Sequence, residues 1–106
     1  MSDAAGLGLT GQTSVKRFRV VLHRAAVDEI QSLPAKTKEK VKLAIDQLAD
    51  DPRPTTAAKL KGRPNAYRIR FGDYRLLYEV NATEILVYVI GVSHRREVYQ
   101  RLLRRK

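Results

Sequence analysis

The chain has 106 residues, with 21 Lys+Arg against 11 Asp+Glu, a formal net charge of +10 and a pI near 10.3. That length suits one domain with a modest core. The absence of cysteine excludes disulfides, thiolate metal sites and a thiol nucleophile, no apolar run reaches the length of a membrane span, and no basic start followed by an apolar run marks a signal peptide.

The charge is segregated. Residues 1–52 hold 8 Lys+Arg and 7 Asp+Glu, whereas residues 53–106 hold 13 and 4, so nearly all of the excess lies in the second half. This pattern points to a polyanionic partner: nucleic acid, an acidic protein or an anionic membrane surface. A membrane surface fits least, because no helical stretch sets a wide apolar face against a basic one.

Residues 1–16, MSDAAGLGLTGQTSVK, are small, Gly-rich and unpatterned, and read as a flexible tail. Residues 17–106 read as a single domain. From Arg17 to Leu22, Phe18, Val20 and Leu22 alternate with Arg19 and Val21, which fits a first strand. Ala26, Val27, Ile30 and Leu33 recur at helical spacing, so a helix is expected over Arg24 to Leu33, with Asp28 and Glu29 near its start. After Pro34, Val41, Ala44, Ile45 and Leu48 mark a second helix over Ala35 to Ala49. The lysines at 36, 38, 40 and 42 read as its solvated face. Asp50 to Pro54 ends this helical hairpin. Thr55 to Asn65 reads as a loop whose Lys59, Lys61 and Arg63 either track a phosphate backbone or merely keep the loop soluble.

The stretch from Ala66 to Tyr99 is the most informative. Gly72-Asp73 suits a two-residue hairpin turn with Gly first. Phe71 then faces Tyr74, Arg70 faces Arg75, Ile69 faces Leu76, Arg68 faces Leu77 and Tyr67 faces Tyr78. One face carries Tyr67, Ile69, Phe71, Tyr74, Leu76 and Tyr78 and belongs to the core. The other carries Arg68, Arg70, Arg75 and Leu77. Like charges directly opposite destabilise a hairpin, so this face is either a binding feature or a solvated surface that happens to be basic. Ile85 to Ser93 is nearly all apolar, as a central strand covered on both sides should be. His94, Arg95 and Arg96 lead out of it into a C-terminal helix over Arg96 to Lys106. There Val98, Tyr99, Leu102 and Leu103 are expected on the sheet, while Arg101, Arg104, Arg105 and Lys106 point away. The fold class is therefore α+β, a small antiparallel or mixed sheet of about four strands with an N-terminal helical hairpin and a C-terminal helix, in the order β-α-α-β-β-β-α.

No Gly-rich phosphate loop is present. His23 and His94 are too few and too isolated for a metal site, and no Ser stands in a nucleophile context. The acidic residues form no evident catalytic pair, and no cofactor is expected. What remains is arginine and tyrosine chemistry. A guanidinium on a rigid strand is a planar, multidentate, permanently charged phosphate ligand, and it also stabilises charge developing on a phosphorane-like transition state.

The order of elements, with KLKGRPNAYRIRFGDYRLLYEV followed by ILVYVIGVSHRREVY, resembles the RelE toxins of the RelE/ParE superfamily over about residues 17–104. The resemblance rests on a Leu-Gly-Pro loop, a strand-turn-strand reading Y-R-L-x-Y, and an arginine after the last strand followed by E-V-Y. It implies a cytoplasmic toxin of a type II toxin–antitoxin pair that enters the ribosomal A site and cleaves mRNA without a metal. In that chemistry the ribose 2′-OH attacks the adjacent phosphate and leaves a 2′,3′-cyclic phosphate. The resemblance implies catalytic roles for Arg70, Arg75, Arg95 and Tyr99. Phosphate contacts are expected from Arg68 and Arg70, with Lys59, Lys61, Arg63 and Arg96 adding to them. It also implies a cognate antitoxin, through which the complex binds its operator DNA. One departure is visible: arginines stand at 68 and 70 where the best-known RelE toxins have lysines, which leaves the general base open. Two alternatives remain at this point: a ParE-like toxin that inhibits DNA gyrase, and a basic nucleic-acid-binding module without catalysis.

Overall fold

Two short signals set the sheet. Gly72 takes φ +65°, the left-handed value that a Gly-first hairpin turn needs, and Asp73 does not. The register that follows is the expected one: Phe71 opposite Tyr74, Arg70 opposite Arg75, Ile69 opposite Leu76, Arg68 opposite Leu77 and Tyr67 opposite Tyr78. At the other end of the chain, His23 caps the first helix by accepting the Ala25 N–H on its Nδ1 at 2.9 Å. Pro34, with φ −54°, starts the second helix.

The computed structural model describes residues 17–105, so the reading of residues 1–16 as a tail, and the place of Lys106, lie outside the described residues. The elements are β1 (Arg19–Leu22), α1 (Arg24–Gln31), α2 (Ala35–Leu48), β2 (Ala57–Lys59), β3 (Ala66–Phe71), β4 (Tyr74–Asn81), β5 (Leu86–Ser93), a 3₁₀ turn (Arg96–Val98) and α3 (Tyr99–Leu102). One five-stranded mixed sheet runs β1-β5-β4-β3-β2. β1 is parallel to β5 and the other pairs are antiparallel. The class is α+β, with five strands rather than about four.

The extra strand lies in the stretch expected to be loop. Ala57, Ala58 and Lys59 have neither alternation nor β-branching, and their strand exists because β3 offers an open edge. They pair with Ile69, Arg68 and Tyr67. The last strand begins at Leu86 rather than Ile85, because Ile85 takes φ +54° and closes the preceding turn. The C-terminal helix is one 3₁₀ turn followed by one α turn, shorter than the expected span from Arg96 to Lys106.

α1 and α2 cover one face of the sheet. Ala26, Ile30, Leu33, Val41, Ile45 and Leu48 meet Ile69, Leu76, Tyr78, Val80, Val87, Val89 and Val92 there. α3 covers part of the other face, where Leu102 and Leu103 meet Ala66, Leu77 and Ile90. Coverage on both sides explains why β4 and β5 are apolar at successive positions. A β-bulge makes the two layers compatible. Leu77 pairs with Gly91 and Tyr78 with Val89, leaving Ile90 as the extra residue. Val89 and Val92 thereby both face the α1/α2 layer, which strict alternation would forbid.

The α3 layer is thin. Burying two leucines contributes about 1.5–3 kcal/mol each, a small sum for the end of a chain. Polar ties supplement it. β1 pairs with β5 only as far as Val89, so the outer edge of β5 beyond that point has no strand. Glu29 of α1 and Arg105 fill the gap. Glu29 Oε1 accepts from the Val92 N–H at 3.0 Å, and Arg105 Nη1 donates to the Ile90 carbonyl at 3.0 Å. The two side chains also join each other through Arg105 Nη1 to Oε1 at 3.0 Å and Nη2 to Oε2 at 2.7 Å. The pair is only 29% and 20% exposed, and the bond to Glu29 lifts the Arg105 pKa against the opposing effect of burial. Arg105 was expected to point away from the sheet; instead it turns back, because the unpaired β5 carbonyl and the Glu29 carboxylate are both within its reach. A second tie runs from Arg63 Nη2 to Glu79 Oε2 at 2.8 Å and to the Leu103 carbonyl at 3.3 Å.

Gly91 lies under this pair. A Cβ there would sit 2.5 Å from Arg105 Nη1 and 2.7 Å from Glu29 Oε1. Gly91→Ala should therefore cost about 1–3 kcal/mol in urea unfolding. Combined with Arg105→Ala it should cost clearly less than the sum of the single changes, since the clash partner is then gone. Additive losses would show that the space above Gly91 is not what couples α3 to the sheet.

Candidate nucleic-acid interface

The sheet face opposite α1 and α2 is divided. Toward the Ala66 end it is covered by α3. Toward the hairpin turn it carries arginines. Strand alternation puts Arg68 and Arg70 of β3 on this face, and the turn register sets Arg75 of β4 directly opposite Arg70. On its other side Arg75 pairs with Ser93 of β5. A row therefore crosses three strands, Arg70, Arg75, Ser93, with Arg68 one step behind. Opposed positions in such a pair place their Cβ atoms about 4.5–5.5 Å apart.

Arg75 is the centre of this group. Its pKa is lowered by partial burial first, then by the charges of Arg70, Arg96 and Arg68, with Asp73 acting in the opposite sense. Its Nη1 donates to the Asp73 carbonyl at 3.4 Å, a long contact. Among the described residues the ion pairs are Arg17–Asp50, Arg63–Glu79, Arg95–Glu97 and Arg105–Glu29. Arg68, Arg70, Arg75 and Arg96 take part in none of them. Four guanidinium groups thus share one patch, none of them in an ion pair among the described residues and with Asp73 the one carboxylate that acts against the field at Arg75, an arrangement that a phosphate chain would stabilise.

The exit from β5 sorts the two neighbouring arginines. Ser93 Oγ accepts from the Arg95 N–H at 3.0 Å and donates to the Arg95 carbonyl at 3.3 Å. This fixes the turn, and Arg96, the first residue of the 3₁₀ turn, comes within electrostatic reach of Arg75. Arg95 instead reaches Glu97 at 3.6 Å, with both side chains about two-thirds exposed, a pair worth little in water. His94 meets Tyr74 edge-on at 5.6 Å.

Tyr99 opens α3. Its ring packs with Val98, Leu60 and Tyr88 against the Leu77–Ile90 cluster. Its hydroxyl oxygen is buried and has no hydrogen-bond partner, and the same holds for Tyr88. Such an atom costs about 1–3 kcal/mol.

The remaining expected contacts are spread out. Lys59 lies opposite Tyr67, so it shares the face of α1 and α2 and not that of the arginines; Ala58 is the residue beside Arg68. Lys61 is exposed in the tight turn at Gly62. Arg63 is committed to Glu79 and the Leu103 carbonyl at the far end of β3. The structure brings together Arg68, Arg70, Arg75 and Arg96, sets Arg95 at their margin, and leaves Lys59, Lys61 and Arg63 elsewhere. Sequence reasoning missed Ser93, which sets this turn. A Ser two positions before an arginine is too common a pattern to have signalled it.

The comparisons with known proteins follow the same lines. The family model described as the ParE toxin of type II toxin–antitoxin systems matches residues 20–99. The mRNA interferase toxin RelE of Escherichia coli is 34% identical over 84 residues, covering 76% of this chain and 87% of that protein. Among solved structures, a free E. coli RelE carrying two arginine-to-alanine substitutions superposes with a TM-score of 0.69 at 27% identity, over 82% of this chain and 95% of that one. The RelE of the archaeal RelE–RelB complex from Pyrococcus horikoshii gives 0.66 at 30% identity, over 73% and 93%. With the family model spanning most of the described residues and RelE proteins matched nearly end to end, the chain belongs to the RelE/ParE family of type II toxin–antitoxin toxins, as a toxin of RelE type.

Proposed function

We propose that the protein is a ribosome-dependent endoribonuclease that cleaves mRNA in the A site and stops translation. The observation that carries this reading is the cluster of Arg68, Arg70, Arg75 and Arg96, with Arg70 and Arg75 directly opposed and none of the four in an ion pair among the described residues. The E. coli relative is named an mRNA interferase, and the same chemistry suits this site.

In the proposed step the ribose 2′-oxygen attacks the adjacent phosphorus. A 2′-O–P bond forms, the bond from phosphorus to the 5′-oxygen breaks, and the products are a 2′,3′-cyclic phosphate and a 5′-hydroxyl. One proton leaves the 2′-OH and one reaches the departing 5′-oxygen. Arg75, at the centre of the cluster, meets the charge that builds on the non-bridging phosphate oxygens. Arg68, Arg70 and Arg96 hold the flanking phosphates and lower the cost of the 2′-oxyanion. Arginine titrates far above neutral pH, so almost none is free to accept a proton there. Acceptance of the 2′ proton then falls to a ribosomal group, or to Tyr99 once the start of α3 turns its hydroxyl outward, and Arg95 serves only as a donor toward the departing 5′-oxygen.

The partner in this reading is a cognate antitoxin, as in the RelE–RelB complexes of the relatives, with operator binding through the antitoxin. The ParE description of the family model favours a second reading, gyrase inhibition, in which the arginine face would dock a protein and no RNA would be cut.

Arg75→Ala should lower single-turnover cleavage on programmed ribosomes roughly 10²–10³-fold while leaving the unfolding midpoint near that of the wild type. Normal cleavage by this variant would refute its role. Binding of single-stranded RNA should weaken with salt at a log–log slope of about −0.7 per phosphate contacted, and each arginine-to-alanine change in the cluster should reduce the slope by about that amount. Arg70→Lys separates electrostatics from base catalysis in a pH–rate profile. If Arg70 acts only by its charge, the lysine variant keeps substantial activity. A wild-type inflection that disappears in this variant but survives Tyr99→Phe would make Arg70 the proton acceptor. Tyr99→Phe itself should stabilise the fold by about 1 kcal/mol, because it removes a buried hydroxyl without a partner.

A further inference from the structure

A cavity of about 430 Å³ lies at the open edge of β5, on the helical side of the sheet. Its size falls within the ~300–1,000 Å³ usual for small-molecule sites. Tyr74 and Val92 supply apolar lining, Asp28, Glu29 and Ser32 come from the end of α1, and Ser93 and His94 come from the exit of β5. Ser93 belongs to two places. It lines the cavity, and it is the last member of the row Arg70, Arg75, Ser93 on the other face. It lies one strand spacing, about 4.8 Å, beyond Arg75. β1 pairs with β5 only as far as Val89, so no further strand follows Ser93. A chain of phosphates laid across the row therefore runs off the sheet at Ser93, beside the cavity.

Most polar groups of the cavity are spent within the fold. Glu29 holds the Val92 N–H and Arg105, and Ser32 Oγ donates to the Asp28 carbonyl at 3.0 Å. The Asp28 carboxylate differs. It is exposed, and among the described residues it accepts no hydrogen bond and joins no ion pair, in a chain with 21 Lys+Arg against 11 Asp+Glu. Such a carboxylate repels a phosphate but accepts two N–H donors side by side. Near it stands an aromatic pair. The exposed His94 ring meets the half-buried Tyr74 edge-on, at 5.6 Å and 65°, which leaves His94 open to stacking by a base.

We propose that this cavity binds a guanine base of single-stranded RNA, on the nucleotide next to the phosphate held by Arg75. Guanine alone among the four RNA bases presents two adjacent N–H donors, N1–H and the N2 amino group, to one carboxylate. Asp28 accepts both, and His94 carries the ring by stacking. Adenine and cytosine offer one amino group beside a bare acceptor nitrogen, which would face the second carboxylate oxygen and repel it. Uracil offers a single N–H between two carbonyls. The inference rests on RNA as the ligand of the arginine face, and it adds selectivity. Arginines hold the phosphates of any sequence, whereas contacts to base edges specify.

The test measures, by fluorescence anisotropy on the full chain, the Kd for short uridine RNAs that carry one guanosine, inosine or adenosine. The proposal expects the guanosine RNA to bind roughly tenfold more tightly than the adenosine RNA, with inosine, which lacks the N2 amino group, between them. Asp28→Asn replaces one acceptor by a donor and should reverse the order in favour of adenosine. Glu39→Gln, at an exposed carboxylate on α2 outside the cavity, removes the same charge and should strengthen all three alike. His94→Ala should weaken binding of the guanosine RNA about tenfold, and His94→Phe should keep it near the wild type. Asp28→Asn should keep the fold by circular dichroism, because among the described residues Asp28 bonds only through its backbone. Equal Kd values for the three RNAs in the wild type, or a guanosine preference that survives Asp28→Asn, would overturn the proposal. Failure of the nuclease reading looks different. Absence of cleavage on programmed ribosomes would sink that reading and leave a measured base preference standing, whereas cleavage by a protein with no base preference would sink the cavity alone.

Discussion

The carboxylate of Glu29 stands in for a missing strand. β1 stops pairing at Val89, and the next residues of β5 would otherwise present unsatisfied edge groups. Glu29 accepts the Val92 N–H and hands its charge to Arg105, which in turn donates to the Ile90 carbonyl. One bidentate pair therefore closes the sheet edge, ties α1 to the C-terminal segment and holds α3 on a thin apolar layer. The position of Arg96 depends on it, because the 3₁₀ turn that carries Arg96 runs directly into α3. Gly91 is what gives this pair room.

Against this brace works a repulsion that the fold does not relieve. Arg70 faces Arg75 across a ladder whose other members are mostly apolar pairs, and Arg68 and Arg96 add to the same field. Elsewhere the chain pairs its arginines with carboxylates when it can, as Arg17, Arg63 and Arg105 show. The opposed arginines are tolerated because the other side of the hairpin is well packed: Ile69, Leu76 and Tyr78 are buried, Tyr67 stacks on Tyr78 at 5.7 Å, and Tyr78 donates to the Pro52 carbonyl at 2.8 Å. Burial pushes the Tyr78 hydroxyl far above its ordinary pKa, so this anchor stays neutral. A rigid hairpin holds the cations at fixed spacing before any ligand arrives, which is how electrostatic stabilisation of a transition state avoids reorganisation.

What the sequence showed was local. The hairpin register was legible because one glycine and a two-residue period determine it together. The doubly covered β5 was legible because its apolar run had no solvent side. The helical hairpin was legible from spacing and Pro34. What stayed hidden depended on distant partners or on paired edges. β2 is a strand only because β3 has a free edge. The bulge at Ile90 arises from the demand of two layers at once. Arg105 and Glu29 lie 76 positions apart, and nothing near either one announces the other. Arg95 and Arg96 look alike as letters, and it is the Ser93 hydroxyl, by fixing the turn, that sends one toward Glu97 and the other toward Arg75. Spacing placed Tyr99 on the sheet, but nothing in it showed that the hydroxyl would be buried there without a partner.

The central claim is that the arginine face stabilises attack by a ribose hydroxyl on its neighbouring phosphate. It is tested most directly by ribosomes programmed with two messages that differ at one sugar, one all-ribose and one with a single 2′-deoxynucleotide on the 5′ side of the scissile phosphate in the A site. The account predicts cleavage of the first message, with a 2′,3′-cyclic phosphate on the upstream fragment in mass spectrometry, and no cleavage of the second. Cutting of the deoxy-substituted message at the same phosphate, or an intact all-ribose message under conditions where the toxin still arrests growth, would contradict it.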